Sequence, residues 1–193
     1  MDLKTTTRPG RNAGGFRDLR GLLKPTTGAP VAVLEAGPGL AVKYLGRMGG
    51  LLQLVERLAR RLPLPDSSYE SYETAELLSS LDGLDIRLTL LDINPRPLKV
   101  IADRMPGARI RTQVADLGLP SPAVLAPLMG TFDLVVAMHL VGRISDAGER
   151  RNAQANLRAL AKPGGLIFAN QADLLAPDCM RVDWLTDVYR KTG

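Results

Sequence analysis

Short apolar runs alternate along the chain with longer stretches of helical spacing. Val31–Leu34, Ile86–Leu91, Ile110–Val114, Phe132–Met138 and Leu166–Asn170 are short, apolar and bounded by turn residues, which predicts five strands. The first is apolar on both faces, as a buried strand should be. Phe16, Leu19, Leu22 and Leu23 repeat at helical spacing within Phe16–Lys24, and Leu40–Leu62 has the same period. Gly46 and the Gly49-Gly50 pair interrupt that second stretch. An interior glycine costs about 1 kcal/mol relative to alanine, so a break is expected there, with a new helix from Leu51. Pro95–Met105 follows Asn94, a suitable cap, and has proline in its first turn. Gly148–Ala161 follows Asp146, with Glu149 placed as in a capping box, and stops at Lys162-Pro-Gly-Gly165.

Strands alternating with helices define an α/β class with a doubly wound, mostly parallel sheet of at least five strands. Two segments stand apart from that alternation. "LPLPDSSYESYETAELLSSLDG", from Leu62 to Gly83, is polar and turn-rich and reads as an insertion over 62–83 with a short helix near Glu73–Leu81. Its Tyr69 and Tyr72 suit a lid, a subunit contact or a plain surface loop. After the fifth strand, "QADLLAPDCMRVDWLTDVYRKTG" reads as a helix near Cys179–Lys191, with Met180, Val182, Leu185, Val188 and Tyr189 in an apolar stripe beside Trp184. Nothing downstream reads as a strand, so the fifth strand would be an open edge, and a homodimer or a docked terminal helix is expected.

The 193 residues suffice for one domain with a core, and 45% hydrophobic with 23% charged is an ordinary globular balance. The net charge of +5 is uneven: residues 1–24 hold six basic residues against Asp2 and Asp18, leaving 19 basic and 18 acidic in the rest. Met1–Gly15 is therefore read as a basic, disordered head, and residues 16–193 as the single domain. A nucleic-acid arm is possible there but not favoured, because no aromatic residue precedes Phe16. One cysteine, Cys179, excludes an internal disulfide, and one histidine, His139, leaves no zinc cluster. No apolar run reaches the ~18 residues of a membrane helix, and no signal-peptide core is visible, so a cytoplasmic protein is expected.

Candidate chemistry starts at "VAVLEAGPGLAVKYL", where β-type residues run into a glycine turn. Gly37 and Gly39 would let a ligand lie against the backbone, and a helix starting at Leu40 would offer unpaired N–H groups. Asp92 ends the second strand, where a carboxylate can accept both hydroxyls of a ribose. A dinucleotide site prefers a third glycine at the position held by Val42, and Glu35 would repel a pyrophosphate. Glu35 suits a cationic group such as an amino-acid ammonium.

"VLEAGPG", "LTLLDINP", "VADLGLP", "FDLVVAMHLV" and "LAKPGGLIFAN" together resemble, in order, the motifs of the class I S-adenosylmethionine (SAM)-dependent methyltransferases, over Val31 to Asn170. The resemblance implies a Rossmann-like methyltransferase fold with SAM as cofactor. It implies that Glu35, Ala36, Gly37 and Gly39 line the methionine half and that Asp92 holds the ribose. Ile93 would pack on the adenine, Asp116 and Leu117 would sit at its edge, and Met138 and His139 would lie near the methyl group. His139 is also the one candidate for a catalytic base, although packing or cofactor contact suits it better. "AMHLVGRI" is not the run that base-amine methylation needs, Cys179 is misplaced for pyrimidine chemistry, and Asn170 with Asp173 make only half of a metal-assisted site. A small-molecule acceptor is the reading that remains. A non-catalytic SAM-binding subunit or sensor is the alternative, and a nicotinamide-dependent oxidoreductase a third.

Overall fold

The computed structural model describes residues 19–23, 28–39, 41–42, 69–105, 109–138, 140–170, 173–182 and 187–192. In chain order its elements are β1 (Val31–Ala36), β2 (Ala41–Val42), β3 (Tyr69–Glu70), α1 (Tyr72–Ser80), β4 (Ile86–Asp92), α2 (Pro95–Arg104), β5 (Arg109–Val114), β6 (Phe132–Val136), α3 (Ala147–Leu160), β7 (Ala161–Phe168), β8 (Cys179–Arg181) and β9 (Val188–Lys191). Short 3-10 turns lie at Ala123–Leu128 and Val141–Arg143. Seven strands form one sheet in the order β5-β4-β1-β6-β7-β9-β8. The first five run parallel, and β9 lies antiparallel between β7 and β8. From β1 the chain moves outward through β4 and β5, then returns to β6 on the other side of β1. That reversal opens a crevice beyond the carboxyl ends of β1 and β6, the place where such sheets bind ligands.

Alternation along the strands divides the core between the two sheet faces. Leu34, Ala36, Leu91, Val135 and Ile167 pack on one face with Leu157 and Leu160 of α3. Val31, Val33, Leu88, Leu90 and Val136 pack on the other with Leu77 of α1 and Leu98 and Ile101 of α2. Leu19 and Leu23, from the helical stretch expected at Phe16–Lys24, are buried on this second face. Two caps form as the sequence suggests: Asn94 accepts from the Arg96 N–H at 3.0 Å, and Asp146 from the Glu149 N–H at 2.9 Å. At the base of the sheet, one carboxylate oxygen of Asp133 accepts from the Ala32 N–H at 2.8 Å, and the other pairs with Lys162. Those contacts tie β1, β6 and β7 together.

Three expectations change. The helix expected over Cys179–Lys191 is instead the β8–β9 hairpin, which completes the C-terminal side of the sheet. The fifth strand of the sequence reading, β7, is consequently no open edge: Leu166, Ile167 and Phe168 pair with Arg190, Tyr189 and Val188. The case for a homodimer built on that edge lapses with it. Helical spacing misled because Val188 packs on one face of the sheet and Tyr189 on the other, so β9 shows no period-two alternation. Trp184 and Leu185 lie outside the described residues.

Ala41–Val42, expected at the start of a helix, are extended and pair antiparallel with Tyr69–Glu70. The remainder of Leu40–Leu62 lies outside the described residues, as do residues 1–18. Lastly, the short helix expected near Glu73–Leu81 forms at Tyr72–Ser80, but as a core element, with Leu77 and Leu81 both buried.

Tyr189, 1% exposed, has the guanidinium of Arg181 5.8 Å from its ring centre. Tyr189→Ala is expected to lower stability by about 3–5 kcal/mol in urea denaturation, the usual cost of deleting a buried ring. A loss below about 0.5 kcal/mol, typical of surface positions, would refute the buried hairpin.

Candidate cofactor site

The carboxyl ends of β1, β4, β5 and β6 bring the expected residues to one edge of the sheet. Glu35 is level with Leu90 of β4 and Val136 of β6, and Asp92 with Val114 of β5. Strand alternation puts Glu35 and Asp92 on the same face, the one that α1 and α2 cover. Gly37 and Gly39 turn the chain with φ of 67° and 59°, conformations natural to glycine alone. The Gly37 N–H donates to the Leu91 carbonyl at 2.7 Å, fastening the turn to β4. A Cβ on Gly37 would come within 3.0 Å of Leu140, whereas on Gly39 it would meet only the Gly37 carbonyl at 3.9 Å. Space over the second glycine is therefore open among the described residues.

Glu35 is only 2% exposed, yet it has partners. The Thr74 hydroxyl is 2.7 Å from its Oε2, the Ser71 hydroxyl is 2.9 Å from that of Thr74, and Ser71 Oγ donates to the Pro38 carbonyl at 3.1 Å. Ser71 is also the N-cap of α1, accepting from the Thr74 N–H at 3.3 Å. A helix N-terminus thus does face the glycine turn, but it belongs to α1.

The Thr74 hydroxyl donates to Glu35 Oε2. Burial pushes the Glu35 pKa up to about 8; the Thr74 hydroxyl opposes the shift and Glu73 adds to it.

Asp92 is half-buried, and its Oδ1 accepts from the Asn94 N–H at 2.8 Å. Burial raises its pKa, opposed by the backbone N–H groups of Asn94 and Ile93. Ile93 is 64% exposed, an apolar surface beside the carboxylate with nothing on it. After β5, the Ala115 N–H donates to the Asp92 carbonyl at 3.1 Å, which carries Asp116 to the same edge. Asp116 Oδ1 accepts from the Gly118 N–H at 2.8 Å, closing a tight turn. The Leu117 side chain is buried in the core and its carbonyl accepts from Asn156, so little of it is left to meet a ligand. Ala36 and Met138 are buried behind the turn. His139 lies outside the described residues.

Sequence reasoning missed four supporting side chains. Ser71 and Thr74 hold Glu35, and their signal was a serine cap ahead of a short helix. Asn152 donates to the Gly118 carbonyl at 2.8 Å, and Asn156, 4% exposed, donates to the carbonyls of Leu117 and Leu119 at 2.9 Å each. An asparagine on the same buried stripe of α3 as Ala153, Leu157 and Leu160 was the available clue.

No protein-family model matches the chain and no curated protein is significantly similar to it. Solved structures are similar in fold. The trans-methyltransferase CalH, in complex with SAH, aligns with a TM-score of 0.53 at 18% identity over 79% of this chain and 35% of its own. The CurJ carbon methyltransferase gives 0.51 at 14% identity, over 76% and 30% of the respective chains. The DszA carbon methyltransferase gives 0.50 at 18%, over 80% and 31%. The fold is that of the class I SAM-dependent methyltransferases. The chain spans about a third of the length of these proteins.

The raised pKa of Glu35 has a consequence for stability. Between about 4.5, the ordinary value, and 8 the folded chain holds a proton that the unfolded chain has released. Its stabilisation is complete below the lower value and is lost as pH rises through the upper one. Wild-type urea stability should therefore fall from about pH 5 to 9, and Glu35→Gln, which removes the titrating group but keeps an acceptor for the Thr74 hydroxyl, should flatten that fall. Equal slopes in both proteins would show that another group is responsible.

Proposed function

We propose that the protein is a SAM-dependent methyltransferase that transfers a methyl group to a small-molecule acceptor. The observation that carries this reading is the buried Glu35 carboxyl beneath the glycine turn, on the same face and at the same edge as Asp92. The residues fit the cofactor. Among the described residues Glu35 has no countercharge beside it, and an ammonium placed against it would stabilise the carboxylate and release the stored proton. Asp92 ends β4 where a ribose would lie, and the exposed face of Ile93 offers an apolar surface to an adenine. Open space over Gly39 allows a close approach to the backbone.

When bound, the cofactor would supply a methyl group activated on a sulfonium. The chain's part is to hold the acceptor in line and exclude water, and such positioning can provide much of the acceleration. A base is needed only for acceptors that must lose a proton. The neighbours named as carbon methyltransferases, and CalH with its SAH, support the reaction class. The hairpin removes one ground for a non-catalytic reading, an open fifth strand at a short C-terminus; the lack of an evident base is the other ground and is untouched by it. No helix among the described residues is long and apolar enough to cross a membrane.

Calorimetry with SAM, S-adenosylhomocysteine and NAD tests the cofactor. The first two should bind and NAD should not. Asp92→Ala should weaken both by about ten- to hundredfold, since a charged hydrogen bond contributes about 1.5–3 kcal/mol. Unchanged affinity would remove Asp92 from the site. Below about pH 8, binding should also release protons, seen as a heat that varies with the buffer's ionisation enthalpy, and Glu35→Gln should abolish that dependence.

A further inference from the structure

A doubly wound sheet is normally covered on both faces. Among the described residues the outer part of one face is not. Between β5 and β6 the chain forms only the 3-10 turn Ala123–Leu128, interrupted by Pro127. The result is a groove of about 640 Å³ along that face, with Ala32, Pro127 and Leu128 among its apolar walls. That volume lies within the range of small-molecule sites, about 300–1,000 Å³.

Arg87, Arg109 and Arg111 line the same groove. The strand register explains how they meet: Arg87 is level with Arg109, and Thr89 with Arg111, so all three project from one face of adjacent strands. Like charges directly opposite one another on neighbouring strands are destabilising. Arg109 is relieved by Asp85, its Nη1 lying 3.2 Å from both carboxylate oxygens. Arg87 and Arg111 have no ion pair or hydrogen bond among the described residues. All three are exposed. Two unpaired guanidiniums beside an apolar floor make an incomplete electrostatic arrangement, and an oxyanion would complete it. Arginine is the side chain suited to that task, because its planar fork matches carboxylate and phosphate alike.

The groove is separate from the cofactor site. Arg87 lies near the start of β4 and Asp92 at its end, about 16 Å apart at ~3.3 Å per residue, and they project from opposite faces. The inference therefore stands independently of the proposed methyl transfer. The absence of aromatic platforms among the groove's exposed side chains argues against single-stranded nucleic acid, which binds by stacking.

We propose that this groove binds a small amphipathic anion, with a phosphate or carboxylate held by Arg87 and Arg111 and an apolar body over Ala32 and Leu128. Hexyl phosphate, hexanoate and inorganic phosphate are the probes, titrated calorimetrically into the full chain at low salt. At least one hexyl compound should bind more tightly than inorganic phosphate, and the better of the two identifies the oxyanion. Arg87→Gln/Arg111→Gln should weaken that binding at least about tenfold, while Arg8→Gln/Arg11→Gln in the basic head should leave it unchanged. Failure of both hexyl probes to bind, equal binding in the groove variant, or loss in the head variant would each overturn the proposal. Without any probe, Arg111→Gln should raise the melting temperature by relieving repulsion. A fall would mark the arginines as structural supports and overturn it equally.

Discussion

A carboxyl group buried beneath a helix governs the arrangement of this protein. Glu35 sits on a strand covered on both faces, where an isolated charge would be costly. The cost is limited by a chain of hydroxyls running from Thr74 through Ser71 to the Pro38 carbonyl. That chain requires the first turn of α1 to lie against the glycine turn. Holding α1 there buries Leu77 and Leu81 against β1 and β4, so the polar chain and the apolar core fix the same helix. The glycine turn is then held from two sides, by Ser71 at Pro38 and by the Leu91 carbonyl at Gly37.

Much of this was legible in the sequence wherever one face or one turn sets the pattern. The five parallel strands, the caps at Asn94 and Asp146 and the helix near Glu73 follow from local spacing, and all are present. Glu35, Gly37 and Asp92 could be singled out because acid, glycine and strand end occur in a fixed order. The hairpin was not legible. Its strands have three and four residues, and the inner one is covered on both faces, so periodicity had nothing to act on. Extension of Ala41–Val42 was hidden for a different reason: it depends on pairing with Tyr69–Glu70, far along the chain. No local propensity reports such a partner.

The supporting asparagines show the same limit at the site. Asn152 and Asn156 lie one turn apart on α3 and reach the loop that carries Asp116. Between them they satisfy the carbonyls of Leu117, Gly118 and Leu119. The Leu117 carbonyl bond is buried, and leaving such an acceptor unpaired would cost about 1–3 kcal/mol. Fixing that loop also fixes Asp116 relative to Asp92, because the Ala115 N–H bonds to the Asp92 carbonyl. The edge proposed for the cofactor is thus positioned by helices from both faces of the sheet, α1 through Glu35 and α3 through the asparagines.

The charges follow the same division of faces. Glu35 and Asp92, proposed to meet a cation and a diol, lie at the carboxyl end of the strands on one face. Arg87, Arg109 and Arg111 lie toward the other end on the opposite face. Were the two sets adjacent, carboxylates and guanidiniums would pair with one another and neither could recruit a ligand. The sheet lies between them, and along the strands Arg87 is about 16 Å and Arg111, level with Thr89, about 10 Å from Asp92, beyond the screening length of about 8 Å at physiological salt. The 3-10 turn between β5 and β6 serves both faces of this arrangement. Its Pro127 and Leu128 line the arginine groove, while its Leu125 is buried in the same core cluster as Leu117, next to Asp116. One short turn thus walls the groove and packs the core beside the edge proposed for the cofactor.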